Sequence, residues 1–344
     1  MRFEQVHISV RDFIYMNRSA EFGSLAELQA QLAGGLIPAA PVPFDSNRRL
    51  HAGAHESYLR YMASQPIAGV AVWAHTGRGL MLDAETAHRV LQDWRAALPG
   101  KILIAGVGAT GTSHPEKATT LTISMAEAAA KLGADALLVY PPTWLREHKH
   151  SNELISEHHR RVSQVGLPMI LFYLYEAAGG ISYNSTVLDD LLALSQVIGI
   201  KLATLDSVTT YQEISRQLQE RHPDKLLITG EDRFLGYSLR RGARAALVGL
   251  GAICCELQAE LIRANEEGSS DRFLELSDAV DMLAETIFIS PMEGYIKRLL
   301  WALVHLGVIP PSAAHDPWGP ELPTNQFDEI GRIVAALTTE AHVI

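Results

Sequence analysis

The chain reads as an α/β protein, a (β/α)8 TIM barrel with a C-terminal helical tail. Three observations predict it. Short apolar runs recur eight times along the 344 residues. Stretches with helical periodicity lie between them, and no hairpin signal joins any two. Short, wholly apolar runs are the pattern of strands covered on both faces. Strands separated by helices run parallel, as crossover units. Eight such units suit a barrel of ~250 residues. A doubly wound open sheet is the competing architecture.

The strands are predicted over residues 35–39, 68–74, 102–107, 134–140, 168–173, 197–201, 226–229 and 245–249. The helix after the third strand, residues 114–132, has the clearest pattern. Its apolar positions include Ala118, Leu121, Met125, Ala128, Ala129 and Leu132, mostly three or four apart. Ser113 followed by Glu116 predicts a capping box at its start, and Gly133 a left-handed cap at its end. Asp83 and Ser207 are placed to cap two further helices.

Three parts are expected. Residues 1–33 form an extension with one helix over 24–32, residues 34–265 the barrel, and residues 266–344 the tail. Tail helices are predicted near 272–288, 294–306 and 325–337, the last two separated by the Pro-rich stretch 309–323. No linker is long enough to mark an independent second domain.

Composition narrows the function. Hydrophobic residues make up 47% of the chain, enough for one large core, and charged residues only 20%. A low charged fraction suits a surface partly covered in an oligomer. The formal net charge of −10, with no Lys/Arg cluster, excludes nucleic acid and anionic membrane surfaces as expected partners. No run reaches the ~18 apolar residues of a membrane span. Residues 1–23 mix charges with apolar residues, unlike a secretory leader. Cys254 and Cys255 are adjacent and make no disulfide scaffold, so a reduced, cytoplasmic enzyme is expected.

Barrel active sites lie at the C-terminal ends of the strands. Lys201 ends the apolar run Val197-Ile198-Gly199-Ile200-Lys201 at such an end. An ammonium buried there is costly unless it is used or neutralised, and a desolvated lysine readily becomes a neutral nucleophile toward carbonyls. Tyr173, at the end of the fifth strand, is a candidate proton shuttle because a phenol both donates and accepts. Thr76, after the second strand, is placed to orient that phenol, and the backbone of its turn with Gly77 to offer N–H groups to a carboxylate. His75 is a candidate substrate contact or acid/base at neutral pH. Arg78, Tyr175, Glu176 and Gly249 complete the candidate substrate-binding set.

Two tempting motifs are set aside. His148, His150, His158 and His159 cluster in sequence, but neighbours on a helix point to different faces, so no metal site is expected. Gly106-Val107-Gly108-Ala109-Thr110-Gly111 looks like a dinucleotide fingerprint but follows the third strand, where that motif does not belong. No cofactor is expected.

With these residues in place, the chain resembles the dihydrodipicolinate synthase/N-acetylneuraminate lyase family of Schiff-base-forming barrels, over about residues 35–307. Gly199-Ile200-Lys201 matches the family's Gly-Ile-Lys. His75-Thr76-Gly77 stands where the family has Thr-Thr-Gly. Ile170-Leu171-Phe172-Tyr173 matches the strand carrying the family's tyrosine, with Phe172 and Tyr175 competing for that position. Thr229-Gly230-Glu231-Asp232 matches a Ser/Thr-Gly-acid-Asp turn. The resemblance implies a Schiff base between Lys201 and a 2-oxo acid, Tyr173 as its acid/base, Thr76 at the carboxylate or in a proton relay, and a homotetramer or homodimer.

The departures from that pattern are also informative. The synthase's arginine after the tyrosine strand is missing from Glu176-Ala177-Ala178-Gly179-Gly180. His75 replaces a threonine, Arg78 a glutamate, and no tyrosine stands near Thr143-Trp144, where the synthase lends one to its neighbour. The expected activity is therefore a class I lyase on pyruvate or a 2-keto-3-deoxy sugar acid, by aldol cleavage, addition or dehydration. The alternatives are 4-hydroxy-tetrahydrodipicolinate synthase, a barrel with a phosphate site at Gly249-Leu250-Gly251, and an inactive barrel serving as a binding protein.

Overall fold

The structure, a computed structural model, describes residues 24–340. The expectations for residues 1–23 fall outside the described residues. Helix α1 (Leu25–Leu32) precedes β1 (Leu36–Pro38). Then follow α2 (Ala52–Ala63), β2 (Gly69–Val72), α3 (Ala84–Ala97), β3 (Ile102–Val107), α4 (Pro115–Lys131), β4 (Ala136–Val139), α5 (Ser151–Ser163) and β5 (Met169–Leu174). The barrel ends with α6 (Ser185–Leu192), β6 (Val197–Ala203), α7 (Val208–Arg221), β7 (Leu226–Thr229), α8 (Leu235–Arg240), β8 (Ala245–Val248) and α9 (Cys255–Glu267). The tail adds α10 (Ser270–Ile287), α11 (Tyr295–His305) and α12 (Asn325–Glu340).

All strand pairs are parallel, in sequence order from β2 round to β8 and on to β1. The ring closes between β1 and β2 through the Ala39–Ala71 bridge, where the Ala40 N–H donates to the Ala71 carbonyl at 3.0 Å. This is the TIM-barrel fold.

Strand alternation splits the buried residues into two layers. Ile37, Ile104, Leu138, Ile170, Phe172, Leu174, Ile228 and Leu247 fill the barrel interior. Leu103, Val139, Leu171, Tyr173, Ile200, Leu202 and Val248 pack outward against the helices. Leu28 and Leu32 of α1 join the interior layer, and Gln29 ties that helix to the Ile198 carbonyl at 2.8 Å. Among the described residues, no helix is long and apolar enough to cross a membrane.

Several local readings shift. Strand β6 continues two residues past Lys201, so the lysine lies within the ladder, opposite Phe172 on β5 and Ile228 on β7. Ser113 does not cap α4. Pro115 occupies the first helical position and His114 precedes it without a side-chain cap, because a proline ring is preorganised for that position and fixes the start there. Glu116 instead forms a two-pronged pair with Arg161 at 2.7 and 2.9 Å. Asp83 and Ser207 do cap their helices, accepting from the Thr86 and Thr210 amides. Gly133 takes the left-handed conformation expected of it, with φ 91°.

Two features bring the tail to the barrel mouth. Trp73 adopts φ 54° at the end of β2, a turn that re-aims the chain into His75-Thr76-Gly77. Arg298 of α11 is fully buried, and its guanidinium bonds the carbonyls of Ile287, Ile289 and Pro291 at 3.0–3.3 Å. The segment between α10 and α11 is thereby held against the mouth.

Candidate active site

Lys201 points into the barrel because Ile200 and Leu202, on either side, point out. It is 6% exposed. Its Nζ sits 4.3 Å from the centroid of the Phe172 ring, its neighbour across the ladder. The strand after it leaves room by a glycine: a Cβ on Gly230 would lie 2.5 Å from Lys201 Cε. Burial pulls the amine's pKa down to about 8, against the upward pull of Asp232 and Glu231. At pH 7 about one lysine in ten would then be neutral, against about one in three thousand for a free side chain.

The two acids are themselves perturbed. Burial raises the Glu231 carboxyl to about 7, opposed by hydrogen bonds from the Thr204 amide and hydroxyl and the Leu205 amide. Burial likewise raises Asp232 to about 7, opposed by the Leu250 amide at 2.6 Å and by Lys201. Such mutually perturbed groups at a cavity mark candidate chemistry.

The cavity encloses about 430 Å³, mouth included. His75, Thr76, Tyr175, Lys201 and Gly249, all anticipated, line it. Phe172, Asp232, Phe288, Met292, Glu293 and Tyr295 line it as well, and the last four come from the tail side. The Tyr295 hydroxyl lies 3.1 Å from Thr76 Oγ1 and 3.1 Å from His75 Nδ1. Its ring stacks on Phe288, with centroids 4.7 Å apart, and lies nearly parallel to the His75 ring at 6.2 Å. Burial lowers the His75 pKa, opposed chiefly by Glu293, and raises that of Tyr295, so both rings are neutral near pH 7.

Four anticipated residues stand elsewhere. Tyr173 faces outward, because Phe172 and Leu174 take the inward positions of β5. Its ring packs edge-on against Tyr183 at 5.9 Å, in a separate outer groove between α6 and α7. Arg78 does not line the cavity. It is locked by a two-pronged pair with the buried carboxylate of Asp316, at 2.7 and 3.2 Å, and by Glu293 at 2.7 Å. The Gly77 amide closes its own turn onto the Ala74 carbonyl, and a Cβ there would meet the Ala40 carbonyl at 2.8 Å. Glu176 points away, accepting a hydrogen bond from Ser182. Among the histidines set aside earlier, His158 bonds Thr119 and His159 bonds the Ile155 carbonyl. No cluster able to hold a metal ion occurs among the described residues.

The tail residues of the cavity had no local signal, since residues 287–305 read as an amphipathic helix and its approach. Asp232 was visible as part of the Thr-Gly-Glu-Asp turn but carried no assigned role. Phe172 was legible as an alternative to Tyr173 and is the residue of that pair that faces the lysine.

The comparisons with known proteins agree with this architecture. The model of the dihydrodipicolinate synthetase family matches residues 32–336. N-acetylneuraminate lyase 2 of Escherichia coli is 23% identical over 309 residues, covering 89% of this chain and 95% of its own. The 4-hydroxy-tetrahydrodipicolinate synthase of Bartonella bacilliformis is 25% identical over 276 residues, covering 79% and 88%. The crystal structure of dihydrodipicolinate synthase from Oceanobacillus iheyensis superposes with TM-score 0.77 at 17% identity, covering 92% of this chain and all of that one. A barrel with the lysine strand, the Thr-Gly turn and the acidic turn meeting at one mouth thus accompanies a family match over nearly the whole chain, and the protein belongs to the dihydrodipicolinate synthetase family of lyases.

Proposed function

We propose that the protein is a class I lyase that forms a Schiff base between Lys201 and a 2-oxo acid. The observation that carries this reading is the Lys201 amine, inward-facing, 6% exposed and held at a pKa of about 8 in the cavity at the barrel mouth. A neutral amine attacks the 2-oxo carbon to give a carbinolamine, which loses water to give an iminium. The iminium withdraws electrons from the adjacent carbon, so that carbon can lose a proton or break its bond to C4. Thr76 and Gly249 flank the place where the substrate carboxylate lies against the end of β8.

The remaining polar wall favours a hydroxylated substrate. His75, Tyr175, Asp232 and Glu293 offer hydrogen-bond partners suited to hydroxyl groups, while among the described residues no arginine lines the cavity. A second substrate with its own carboxylate, as in the synthase reaction, would bring that charge toward Glu293 with no cavity-lining arginine among the described residues to receive it. A 2-keto-3-deoxy sugar acid, cleaved or dehydrated, fits this wall better than the synthase reaction does. The active form is a homodimer or homotetramer in this reading, which light scattering tests.

The reaction class is tested by borohydride reduction in the presence of pyruvate. The peptide carrying Lys201 should gain an N-(1-carboxyethyl) group by mass spectrometry, and Lys201→Arg should gain none. Absence of the adduct with pyruvate and with longer 2-oxo acids alike would sink the reading.

A further inference from the structure

The cavity presents an acid/base problem. The lysine's ladder neighbour is Phe172, which carries no proton, and Tyr173 lies on the far side of the strand. Among the described residues, the phenols that line the cavity are Tyr175 and Tyr295. The Tyr175 hydroxyl has no hydrogen-bond partner among the described residues. That of Tyr295 has two, at 3.1 Å each, and its ring stacks on Phe288. Gly249 makes this placement possible, because a Cβ there would stand 3.2 Å from both Thr76 Oγ1 and the Tyr295 ring.

The contacts continue outward as a chain. Beyond Tyr295, His75 Nε2 lies 3.5 Å from Glu293 Oε1. Glu293 is 40% exposed, and its other oxygen is held by Arg78 at 2.7 Å. Arg78 is anchored in turn by Asp316, whose side chain is 1% exposed. A line of exchangeable protons thus leads from the cavity wall toward solvent, hydrogen-bonded from Tyr295 to His75 and then in ion-pair contact with Glu293 at 3.5 Å. Proton transfer along it requires that last contact to shorten by a few tenths of an ångström.

We propose that Tyr295, brought by the tail, is the catalytic phenol of this lyase, and that His75 and Glu293 are relay residues connecting it to solvent. The assignment rests on the Schiff-base reading above. In enamine formation from a pyruvate iminium, C3 gives up a proton. Its C–H electron pair becomes the C2–C3 double bond, and the C2–N π pair returns to nitrogen. The proton arrives on the Tyr295 oxygen as that oxygen passes its own proton to His75 Nδ1. The Nε2 proton then leaves to Glu293 and on to water. The reverse sequence returns a proton to C3 after carbon–carbon cleavage. One proton enters the relay for each that leaves, and no redox partner is needed. Thr76 orients the phenol by its hydrogen bond to the same oxygen.

The test uses pyruvate alone, so no second substrate has to be known. Exchange of its methyl protons in D2O is followed by proton NMR, and the Lys201 adduct is trapped with borohydride in parallel samples. Wild type should show both, and Lys201→Arg neither. Tyr295→Phe should still yield the trapped adduct, with exchange slowed by about a hundredfold or more. His75→Asn, which leaves the tyrosine's packing on Phe288 intact, should slow exchange by about tenfold or more with the adduct retained. Tyr173→Phe should exchange at the wild-type rate. A structural role for Tyr295 would lower trapping and exchange together, and that result overturns the proposal, as does exchange in Tyr295→Phe within about threefold of wild type. A wild-type enzyme that traps no 2-oxo acid removes the lyase reading itself, and the proposal with it.

Discussion

Replacing the nucleophile should make the protein more stable. Lys201 is held at about 8 instead of 10.5 because burial disfavours its charge. That gap corresponds to about 3 kcal/mol. Below pH 8 the amine is charged in both the folded and unfolded chains, so the folded state carries the whole of this penalty. As pH rises from 8 to 10.5 the folded amine is neutral while the unfolded one still binds a proton, and the penalty fades. Lys201→Met keeps the volume and removes the charge. The loss of attraction for Asp232 and Glu231 is small near pH 6, where both carboxyls, raised to about 7, are mostly protonated. The variant should therefore gain up to about 3 kcal/mol at pH 6, a rise of about 5 °C in Tm, and under about 1 kcal/mol at pH 10. Urea denaturation of both proteins at the two pH values is the assay. A variant less stable than wild type at pH 6, or a gain independent of pH, would show that the amine is a stabilising partner of the carboxylates, not a desolvated nucleophile.

Other consequences can be measured directly. The rate of Lys201 adduct formation should rise with pH and level off above about 8, since the neutral amine is the attacking form; a flat profile between pH 6 and 9 would contradict the lowered pKa. Gly230→Ala would place a methyl group 2.5 Å from Lys201 Cε and should cut adduct formation by about a hundredfold while circular dichroism stays unchanged. Arg78→Met leaves the buried Asp316 carboxylate without its cation and should cost about 3 kcal/mol or more, with faster limited proteolysis across residues 309–323; an unaltered cleavage pattern would deny that this fork holds the tail.

The barrel was legible because a sheet covered on both faces leaves an unmistakable apolar repeat. Every predicted strand is present, the third and seventh with the predicted bounds and the others with ends displaced by no more than two residues. Lys201 was legible because a cation inside such a run is anomalous. Tyr173 illustrates the limit. Which of two adjacent side chains faces the interior depends on strand register, and a run apolar on both faces does not encode it. Phe172-Tyr173-Leu174-Tyr175 reads equally well in either phase. Only the pairing of Phe172 with Lys201, together with the turn that follows Leu174, places Phe172 and Tyr175 in the cavity and Tyr173 outside. Arg78 misled for a different reason. Its charge at the mouth suggested a ligand, but its partners, Glu293 and Asp316, lie more than 200 residues away in the chain. The same distance hid Tyr295, whose apolar helix gives no sign of reaching the second strand's loop. Caps were read well where a side chain alone decides them, as at Asp83, and less well at His114, where the next residue's ring decides.

The wall built by Phe288, Met292, Glu293 and Tyr295 has a bearing on biogenesis. All eight strands have been synthesised by Val248, so once they emerge from the ribosome a nascent chain can close its ring while the mouth above Lys201 still stands open to water. Translation must run some seventy residues further, to Asp316, before the last buried carboxylate latches onto Arg78. A product released early would carry its amine on a finished scaffold yet lack one side of the reaction chamber.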